Sequence, residues 1–344
     1  MVNEMVSGNE TIRNEVIAAR DSIVFLLLAG TSNVSLNPGI SAAGATTELT
    51  RLTPVVDSEI IFSGNCLSLD VPPMTPEGIP TPAIVTRACL DRIGVKVIIV
   101  DAGLAATPKV PFISGNIGAS LDPSIERALP DFQKALNFGK YVGSLISGYK
   151  VVFLGESVPG GTTTAQAVMK CVGNNFNTSS SLPSDPEGEK HRLIKKAQQR
   201  LGDTDLKADQ CIAEYGDYMM PVALGISIVL QESTLVYCGG TQMANVFSLD
   251  RMLNKPTAKR YVATTKWVMD HRPETMKKLV ESENLIISNI DFTTMPHQGL
   301  REYENGHVRE GAGMGGAFAL YSILNGNMKA LYNDISNLYE RLSS

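Results

Sequence analysis

Short apolar runs rich in β-branched residues recur along the chain, and each run ends in a loop of small residues. They predict buried strands at residues 22–32, 58–65, 96–104, 150–157, 233–241, 260–268 and 284–292. Helix-like patterns lie between these runs, and strands that alternate with helices indicate a mostly parallel sheet covered on both faces. The sequence therefore predicts an α/β protein.

The helical patterns suggest how the chain of 344 residues divides. Residues 81–94 begin with Thr and Pro and end in Gly, as helix capping favours. Further helices are predicted at 125–146, after Thr162, at 218–231 and at 242–253. We predict one large Rossmann-like domain over residues 22–325. The terminal segments 1–21 and 326–344 are also helical, and we expect them to form a small satellite domain.

Three segments depart from the alternation of strands and helices. Residues 37–57 and 66–80 are rich in Pro, Gly, Ser and Thr, and they predict long ordered loops of the kind that often carry function. Residues 174–190 are polar and rich in turn-forming residues. This last segment fits a mobile lid or a plain surface connection, and the surface connection is the favoured interpretation.

Composition and charge narrow the class of protein. The net charge is −5 and no long basic stripe is present, which argues against nucleic acid as a partner. The longest apolar run near the N-terminus, residues 23–30, is too short to span a membrane. Five cysteines without a CxxC pair indicate reduced, buried thiols in a cytoplasmic protein. Four histidines without paired spacing argue against a metal site.

The segment LGESVPGGTTTAQAV, residues 154–168, joins a predicted strand to a predicted helix. Gly160 and Gly161 allow the backbone to approach an anion closely, and Thr162 and Thr163 offer hydroxyl donors at a helix N-terminus. The spacing is similar to that of a nucleotide P-loop whose lysine is replaced by glycine, which favours a single phosphate group over a triphosphate. The alternative is an ordinary capped helix after a tight turn.

Two glutamates lie on glycine-rich turns. Glu156 stands at the start of the loop just described, and Glu310, followed by Gly311, lies in VREGAGMGGAFALY at residues 308–321. Walled by apolar atoms, the Glu310 carboxyl group can act as a general base, whereas the ordinary alternative is a glutamate favoured by the helix dipole. A third turn, CGGTQMANV at 238–246, repeats the strand–glycine–threonine–helix pattern. Three such turns in one sheet would converge on one rim.

Taken together, these motifs resemble those of the nicotinate-nucleotide:dimethylbenzimidazole phosphoribosyltransferase family, in particular its divergent archaeal-type branch. GESVPGGTTTA (155–165) is similar to the family's GE-x-GxGNTTxA loop, and REGAGMGGA (309–317) is similar to its LGEGxGAA element. The segments at 80–104 and 28–41 resemble two further family segments. The resemblance covers about residues 25–320.

The resemblance implies a transferase that moves the ribose phosphate of nicotinate mononucleotide to a benzimidazole-type base and releases nicotinate, a step of cobalamin biosynthesis. It implies that the large domain is a nucleotide-binding catalytic domain, that no metal or cofactor takes part, and that the protein is a homodimer. Glu310 takes the position of the catalytic base and Glu156 that of the second active-site glutamate. The other matched positions are Gly160, Gly161, Thr162, Thr163, Gly311, Thr265 and Lys266 at the nucleotide, and Ser41 at the acceptor base.

The chain departs from the family pattern at three places. Gly30-Thr31-Ser32-Asn33 replaces Gly-Asp-His-Gly, Val308-Arg309 replaces Leu-Gly, and Gly161 replaces Asn. These changes leave the acceptor open among a benzimidazole, a phenolic compound and a purine. The main alternative is a non-catalytic nucleotide-binding or regulatory homologue. An NAD-dependent oxidoreductase is disfavoured because the first strand–helix turn lacks GxGxxG.

Overall fold

The computed structural model describes residues 5–44, 46–180, 182, 186–202 and 204–344. Within these ranges one sheet has the strand order β1-β8-β7-β6-β5-β2-β3-β4, and only β1 runs antiparallel to its neighbour. The predicted α/β class with a mostly parallel sheet is confirmed. The strands are β1 (Val6–Gly8), β2 (Ile23–Ala29), β3 (Lys96–Asp101), β4 (Ile113–Ser114), β5 (Val151–Ser157), β6 (Thr234–Cys238), β7 (Arg260–Thr265) and β8 (Leu285–Ser288).

Helices connect most successive strands, β3 and β4 being joined by a loop, and they cover both faces of the sheet, as predicted. In chain order they are α1 (Glu10–Ala18), α2 (Thr47–Ser63), α3 (Ala83–Ile93), α4 (Phe132–Leu145), α5 (Gly161–Cys171), α6 (Glu187–Leu201), α7 (Ala208–Tyr215), α8 (Met219–Val229), α9 (Thr241–Leu253), α10 (Lys266–His271), α11 (Pro273–Leu279), α12 (Gln298–Arg301), α13 (Met314–Leu324) and α14 (Met328–Ser343).

The interior strand β2 separates two hydrophobic cores. Phe25 and Leu27 point to the face covered by α2, α3, α13 and α14, whereas Leu26 and Leu28 point to the face covered by α4, α8 and α9. Both sets are fully buried, since successive side chains of a strand point to opposite faces. This explains why β2 reads as an uninterrupted apolar run in the sequence.

The order in which strands are added to the sheet switches sides at β2. The strand β3 pairs with one edge of β2, while β5 and the later parallel strands extend from its other edge. Connections on the two sides leave a crevice beyond the carboxyl ends of β2 and β5, which is where open α/β sheets bind ligands. The fold therefore places the candidate site at the end of β5, where Glu156 lies.

Both terminal segments contribute to the same core. Ile12 and Val16 of α1 and Leu331 and Ile335 of α14 are buried within the cluster on the α3 face of the sheet. The N-terminal segment also adds β1 to the sheet edge next to β8. The predicted division into domains at 22–325 and at 1–21 with 326–344 stays a prediction, and residues 1–4 of it lie outside the described ranges.

The prediction of a strand at 58–65 and of a loop over the whole of 37–57 is wrong, because both ranges contribute to α2. The Thr46 side chain caps this helix by accepting a hydrogen bond from the backbone N–H of Leu49 at 3.3 Å, and Gly64 ends it in the left-handed conformation, with φ of 75°. The β-branched residues of α2 pack into the core, so that tertiary burial overrides their preference for strands.

The prediction of reduced thiols is wrong for two of the cysteines. Cys171, at the end of α5, and Cys211, in α7, form a disulfide that spans 40 residues of sequence. Cys66, Cys89 and Cys238 are free thiols. The pairing arises because α5 and α7 pack together, which the spacing of the cysteines does not indicate.

Across the described ranges, no helix has both the length and the apolar character needed to cross a membrane.

Helices α4 and α8 are in direct backbone contact at two glycines. A Cβ atom on Gly139 would lie 2.2 Å from the carbonyl oxygen of Val222, and one on Gly225 would lie 2.3 Å from that of Leu136. The close approach buries both helices against β2 and β5 on one face of the sheet.

We expect Gly139→Ala to lower the free energy of unfolding by about 1–3 kcal/mol, because overpacking a rigid contact forces the helices apart. Gly148→Ala is the matched control, since a Cβ atom there meets no atom within 4 Å. Urea denaturation of the two variants measures the difference. Equal stability of the two variants would contradict the close contact between α4 and α8.

Candidate active site

A cleft opens at the carboxyl end of β5, and seven of the predicted site residues line it. They are Ser41, Glu156, Gly160, Gly161, Thr162, Glu310 and Gly311. The cleft also receives the turn after β6, because a Cβ atom on Gly239 would lie 3.7 Å from Glu156 Oε1 and one on Gly240 would lie 3.6 Å from Glu310 Cβ. The three glycine-rich turns therefore converge, as the sequence predicts.

The turn after β5 presents a helix N-terminus to the cleft. Gly160 has φ of 80°, a left-handed conformation that favours glycine, and α5 begins at the next residue. A Cβ atom on Gly160 would lie 2.9 Å from the backbone nitrogen of Ser35, so the turn also packs tightly. Thr162 lines the cleft, while Thr163 is buried beneath it. The first amides of α5 can thus bind an anion.

Gly161 leaves room for the side chain of Gln242. A Cβ atom on Gly161 would lie 2.1–2.3 Å from the amide group of Gln242, which is buried and lines the cleft. The similar family loop has Asn at the position of Gly161. In this chain an amide group from α9 occupies the space into which a side chain at 161 would extend.

Glu156 is buried at the end of β5. Its Oε2 accepts a hydrogen bond from the backbone N–H of Val158 at 3.0 Å. Burial, and then the nearby charges of Asp217 and Glu310, raise the pKa of the Glu156 carboxyl to about 8. The carboxyl group is therefore held mainly in its neutral form at neutral pH.

Glu310 lies in a strained loop that ends at the start of α13. Its carboxylate accepts hydrogen bonds from the backbone N–H groups of Gly315 at 3.0 Å and Gly311 at 3.3 Å. Val308 and Ala312 both have positive φ, at 45° and 53°, which is costly for residues with a Cβ atom. Burial raises the pKa of Glu310 to about 8, against the opposing effect of the backbone donors.

The segments that carry the two glutamates touch through glycines. A Cβ atom on Gly155 would lie 3.1 Å from Gly313 Cα, and one on Gly313 would lie 2.9 Å from Gly155 Cα. Larger residues at either position would separate β5 from the loop before α13. Glycine at 155 and 313 therefore brings Glu156 and Glu310 into one cleft.

Two further carboxylates belong to the site, and the sequence analysis missed both. Asp57 in α2 is buried and lines the cleft, and Asp217 lies behind the loop, where its Oδ2 accepts a hydrogen bond from the Thr164 hydroxyl at 2.6 Å. Burial raises the pKa of each to about 6. Neither stands in a glycine-rich motif, so the local sequence gives no signal for them.

The side chains of Thr265 and Lys266 bond to other partners. The Thr265 hydroxyl donates to the Arg309 carbonyl at 2.6 Å and so supports the Glu310 loop from behind. Lys266 pairs with Glu304 at 3.0 Å. Their assignment to the nucleotide stays a prediction from the resemblance.

The favoured interpretation of residues 174–190 as a plain surface connection is wrong for residues 178–180. These three residues are buried. The Thr178 hydroxyl donates to the Thr162 carbonyl at 2.8 Å, and the Ser179 N–H donates to the Thr241 hydroxyl at 2.8 Å. The segment therefore contacts the turns after β5 and β6 and forms part of the cleft wall.

Two basic side chains hold this segment in place. The buried Lys190 donates to the Ser179 carbonyl at 2.9 Å, and Arg309 donates to the carbonyls of Ser180 and Leu182. Residues 181 and 183–185, which belong to the segment interpreted as a lid or a connection, lie outside the described part of the chain. Arg309 thus links the cleft wall to the loop of Glu310.

The arrangement combines an amide-lined end with two buried carboxyl groups. Burial raises the pKa of both, and the nearby charges of Asp217 and Glu310 add to the effect at Glu156, so both groups favour the protonated form at neutral pH. A cationic ligand centre between them would favour their ionised forms. Among the residues that the structure describes, no group of three or more His, Cys, Asp or Glu side chains is placed to hold a metal ion.

The fold is that of a known class of solved structures. The chain is similar to nicotinate-nucleotide-dimethylbenzimidazole phosphoribosyltransferase from Thermus thermophilus, with a TM-score of 0.58, 15% identity, and coverage of 92% of this chain and 88% of that chain. A structure of CobT from the same organism gives a TM-score of 0.59 at 15% identity, covering 94% and 93%. The resemblance predicted from the sequence is thus confirmed at the level of the fold.

Sequence relatives give the family. The chain is 48% identical over 323 residues to the UPF0284 protein of Thermoplasma volcanium, covering 93% of this chain and 94% of the relative. It is 42% identical to the UPF0284 protein of Thermoplasma acidophilum, with the same coverage, and 37% identical to that of Thermococcus gammatolerans, covering 93% and 98%. No family model matches the chain. The chain belongs to the UPF0284 family.

We expect Gly161→Ala to lower the free energy of unfolding by about 1–3 kcal/mol, because its methyl group meets the Gln242 amide. Gln242→Ala in the same chain frees that space. The double variant should therefore be more stable than the sum of the two single effects predicts, and a double-mutant cycle from urea denaturation measures this coupling. Strict additivity would contradict the packing of Gln242 on Gly161.

The raised pKa values predict that the free energy of unfolding falls as the pH rises. Because the folded protein holds protons on Glu156 and Glu310 up to about pH 8, whereas free glutamate loses its proton near 4.5, the free energy of unfolding should decrease between these values. Glu156→Gln should reduce this decrease by an amount on the order of a few kcal/mol.

Urea denaturation at intervals from pH 5 to pH 9 measures the effect. Glu232→Gln is the control, since Glu232 is exposed. The prediction fails if the glutamine variant at 156 keeps the pH dependence of the unchanged protein.

Proposed function

We propose that this protein is a pentosyltransferase that moves the ribose phosphate of nicotinate mononucleotide to a heterocyclic base and releases nicotinate. One observation carries the proposal. Glu310 and Glu156 share a cleft with the N-terminus of α5, so a phosphate site and two carboxyl groups face the same bound molecule. A mononucleotide has a phosphate at one end and a reactive glycosidic carbon at the other.

The amide-lined end fits the phosphate of the nucleotide. Gly160 and Gly161 allow close approach of an anion, and Thr162 adds a hydroxyl group at the first turn of α5. No lysine stands in the loop, so the loop offers amides and the helix dipole to a single phosphate. This supports a nucleoside monophosphate over a triphosphate.

The chemistry follows from the charge of the substrate. The glycosidic nitrogen of nicotinate mononucleotide belongs to a pyridinium ring, so bond cleavage returns the electron pair to nitrogen and neutralises the ring. The lone pair of the acceptor nitrogen forms the new bond to C1′, and the proton of the acceptor N–H passes to the Glu310 carboxylate. Positioning the two reactants accounts for much of the acceleration.

The paired carboxyl groups suit this substrate. A pyridinium cation beside them lowers their pKa from about 8, so substrate binding generates the carboxylate that then accepts the proton. Glu156 can stabilise positive charge that develops on the ribose as the glycosidic bond breaks. A base whose pKa lies near the working pH is effective in proton transfer.

The similarities support the same function. The solved structures with this fold are named as nicotinate-nucleotide-dimethylbenzimidazole phosphoribosyltransferase and as CobT, which supports a place in cobalamin biosynthesis. The proposal includes the homodimer and the benzimidazole-type acceptor implied by the resemblance.

We expect incubation with nicotinate mononucleotide and 5,6-dimethylbenzimidazole to release nicotinate and to form the ribotide of the base. Glu310→Gln should lower kcat by about 10²–10⁴-fold, since it removes the proton acceptor but keeps the shape of the side chain. Chromatography with mass spectrometry measures both products, and circular dichroism establishes that the variant is folded.

Glu232→Gln, on the surface, is the control and should keep full activity. Undiminished turnover by Glu310→Gln would reject the assigned role of Glu310. Calorimetric binding of the nucleotide without turnover on any of a panel of benzimidazoles, phenols and purines would instead indicate a non-catalytic nucleotide-binding homologue.

A further inference from the structure

The cleft lining divides into two chemically different parts. The part contributed by the turns after β5 and β6 is small and polar, whereas the part contributed by residues 40–44 and 73–82 is largely apolar. This apolar wall consists of Ile40, Ala42, Met74, Ile79, Pro80 and Pro82. Such a wall fits the flat faces of an aromatic heterocycle.

Asp57 introduces a carboxylate into this apolar wall. It projects from α2, is 3% exposed, and lines the cleft. Its Oδ1 accepts a hydrogen bond from the Thr81 hydroxyl at 2.6 Å, and its Oδ2 accepts one from the Ser157 hydroxyl at 2.7 Å. These two bonds fix the side chain between the start of α3 and the end of β5.

The Asp57 carboxylate can accept further hydrogen bonds from a ligand. A carboxylate offers about four lone-pair sites, and the two hydroxyl donors use two of them. A buried charge is costly unless further hydrogen bonds compensate it. Burial raises the pKa of Asp57 to about 6, so at pH 8 the group is ionised and only accepts hydrogen bonds.

Asp57 lies near the segments that carry Glu156 and Glu310. Ser157, which donates to Asp57, directly follows Glu156 in β5. Thr81, the other donor, precedes Pro82, and a Cβ atom on Gly311 would lie 3.2 Å from the Pro82 ring. Asp57 therefore lies close to both glutamate segments, on the apolar side of the cleft.

We propose that Asp57 determines the acceptor by accepting a hydrogen bond from a hydroxyl or amino substituent on the heterocycle, an inference that rests on the proposed transferase function. The preferred acceptor is then a base with a donor group on its ring, and a base with methyl groups alone is a poorer one. A site built around a polar partner rejects an analogue that lacks it, because the buried group is left unpaired.

The test compares acceptors of nearly equal volume. Benzimidazoles with a hydroxyl group at ring position 4 or 5 are paired with the corresponding methyl compounds, and kcat/KM for nicotinate release is measured for each at pH 8. We expect at least one hydroxyl compound to exceed its methyl partner by tenfold or more. Asp57→Asn should reduce that ratio by at least tenfold, while the KM of nicotinate mononucleotide stays within about twofold.

Calorimetry of the same acceptors gives a readout that does not require turnover. If Asp57→Asn fails to fold, the unchanged protein still tests the proposed acceptor preference, through its ratio of kcat/KM between hydroxyl and methyl compounds. Equal or greater use of the methyl compounds by the unchanged protein overturns the proposal while leaving the transferase function standing. A rise in the KM of the mononucleotide with an unchanged acceptor ratio overturns it as well and places Asp57 at the ribose.

If no acceptor reacts, the transferase function fails, and the calorimetric preference then decides the role of Asp57. Tighter binding of hydroxyl compounds that is lost in Asp57→Asn supports hydrogen-bond recognition at this position. Equal binding of both members of every pair overturns it.

Discussion

The site depends on one steric constraint, the backbone contact between Gly155 and Gly313. A Cβ atom on either residue would lie about 3 Å from the Cα of the other, and both glycines also pack on the ring of Phe25 in β2. Glu156 follows the first glycine, and Glu310 precedes the second by three residues. Because the contact is backbone to backbone, it fixes the two carboxyl groups in one cleft without relying on a flexible side chain. The switch in strand order beside β2 then opens that cleft to a ligand.

The same constraint has an electrostatic consequence. Burying Glu156 and Glu310 raises the pKa of both, and the strained backbone at Val308 and Ala312 adds a further cost to the folded state. These costs fall at the positions where the chemistry is proposed, which is the pattern expected when a site is prepared for a charge that the substrate supplies. The buried helices and the central sheet provide the stability that offsets them.

The sequence predicts those parts of the site that stand in short continuous motifs. Glu156 ends a strand at a glycine-rich turn, the loop at Gly160 follows the same strand, and Glu310 stands in a glycine-rich segment that opens a helix, so local chemistry identifies them. Asp57 is not predicted because the sequence places it at the end of a loop, residues 37–57, next to a predicted strand at 58–65, whereas burial makes both ranges part of one helix. The burial of residues 178–180 is not predicted for a different reason. Their polar side chains suggest an exposed surface, and only contacts with Thr162 and Thr241, distant in the sequence, bury them. Strand order and the disulfide likewise depend on long-range packing.

The departures from the family pattern now have a physical interpretation. At Gly161 the lost asparagine is matched by the amide of Gln242, which enters the same space from α9. At Arg309 a long cation replaces a small residue and donates to the carbonyls of Ser180 and Leu182, so the loop of Glu310 is joined to the cleft wall. Both changes leave the N-terminus of α5 and Glu310 in the same cleft. The proposed acceptor site is therefore the apolar wall around Asp57, which lies outside both changes.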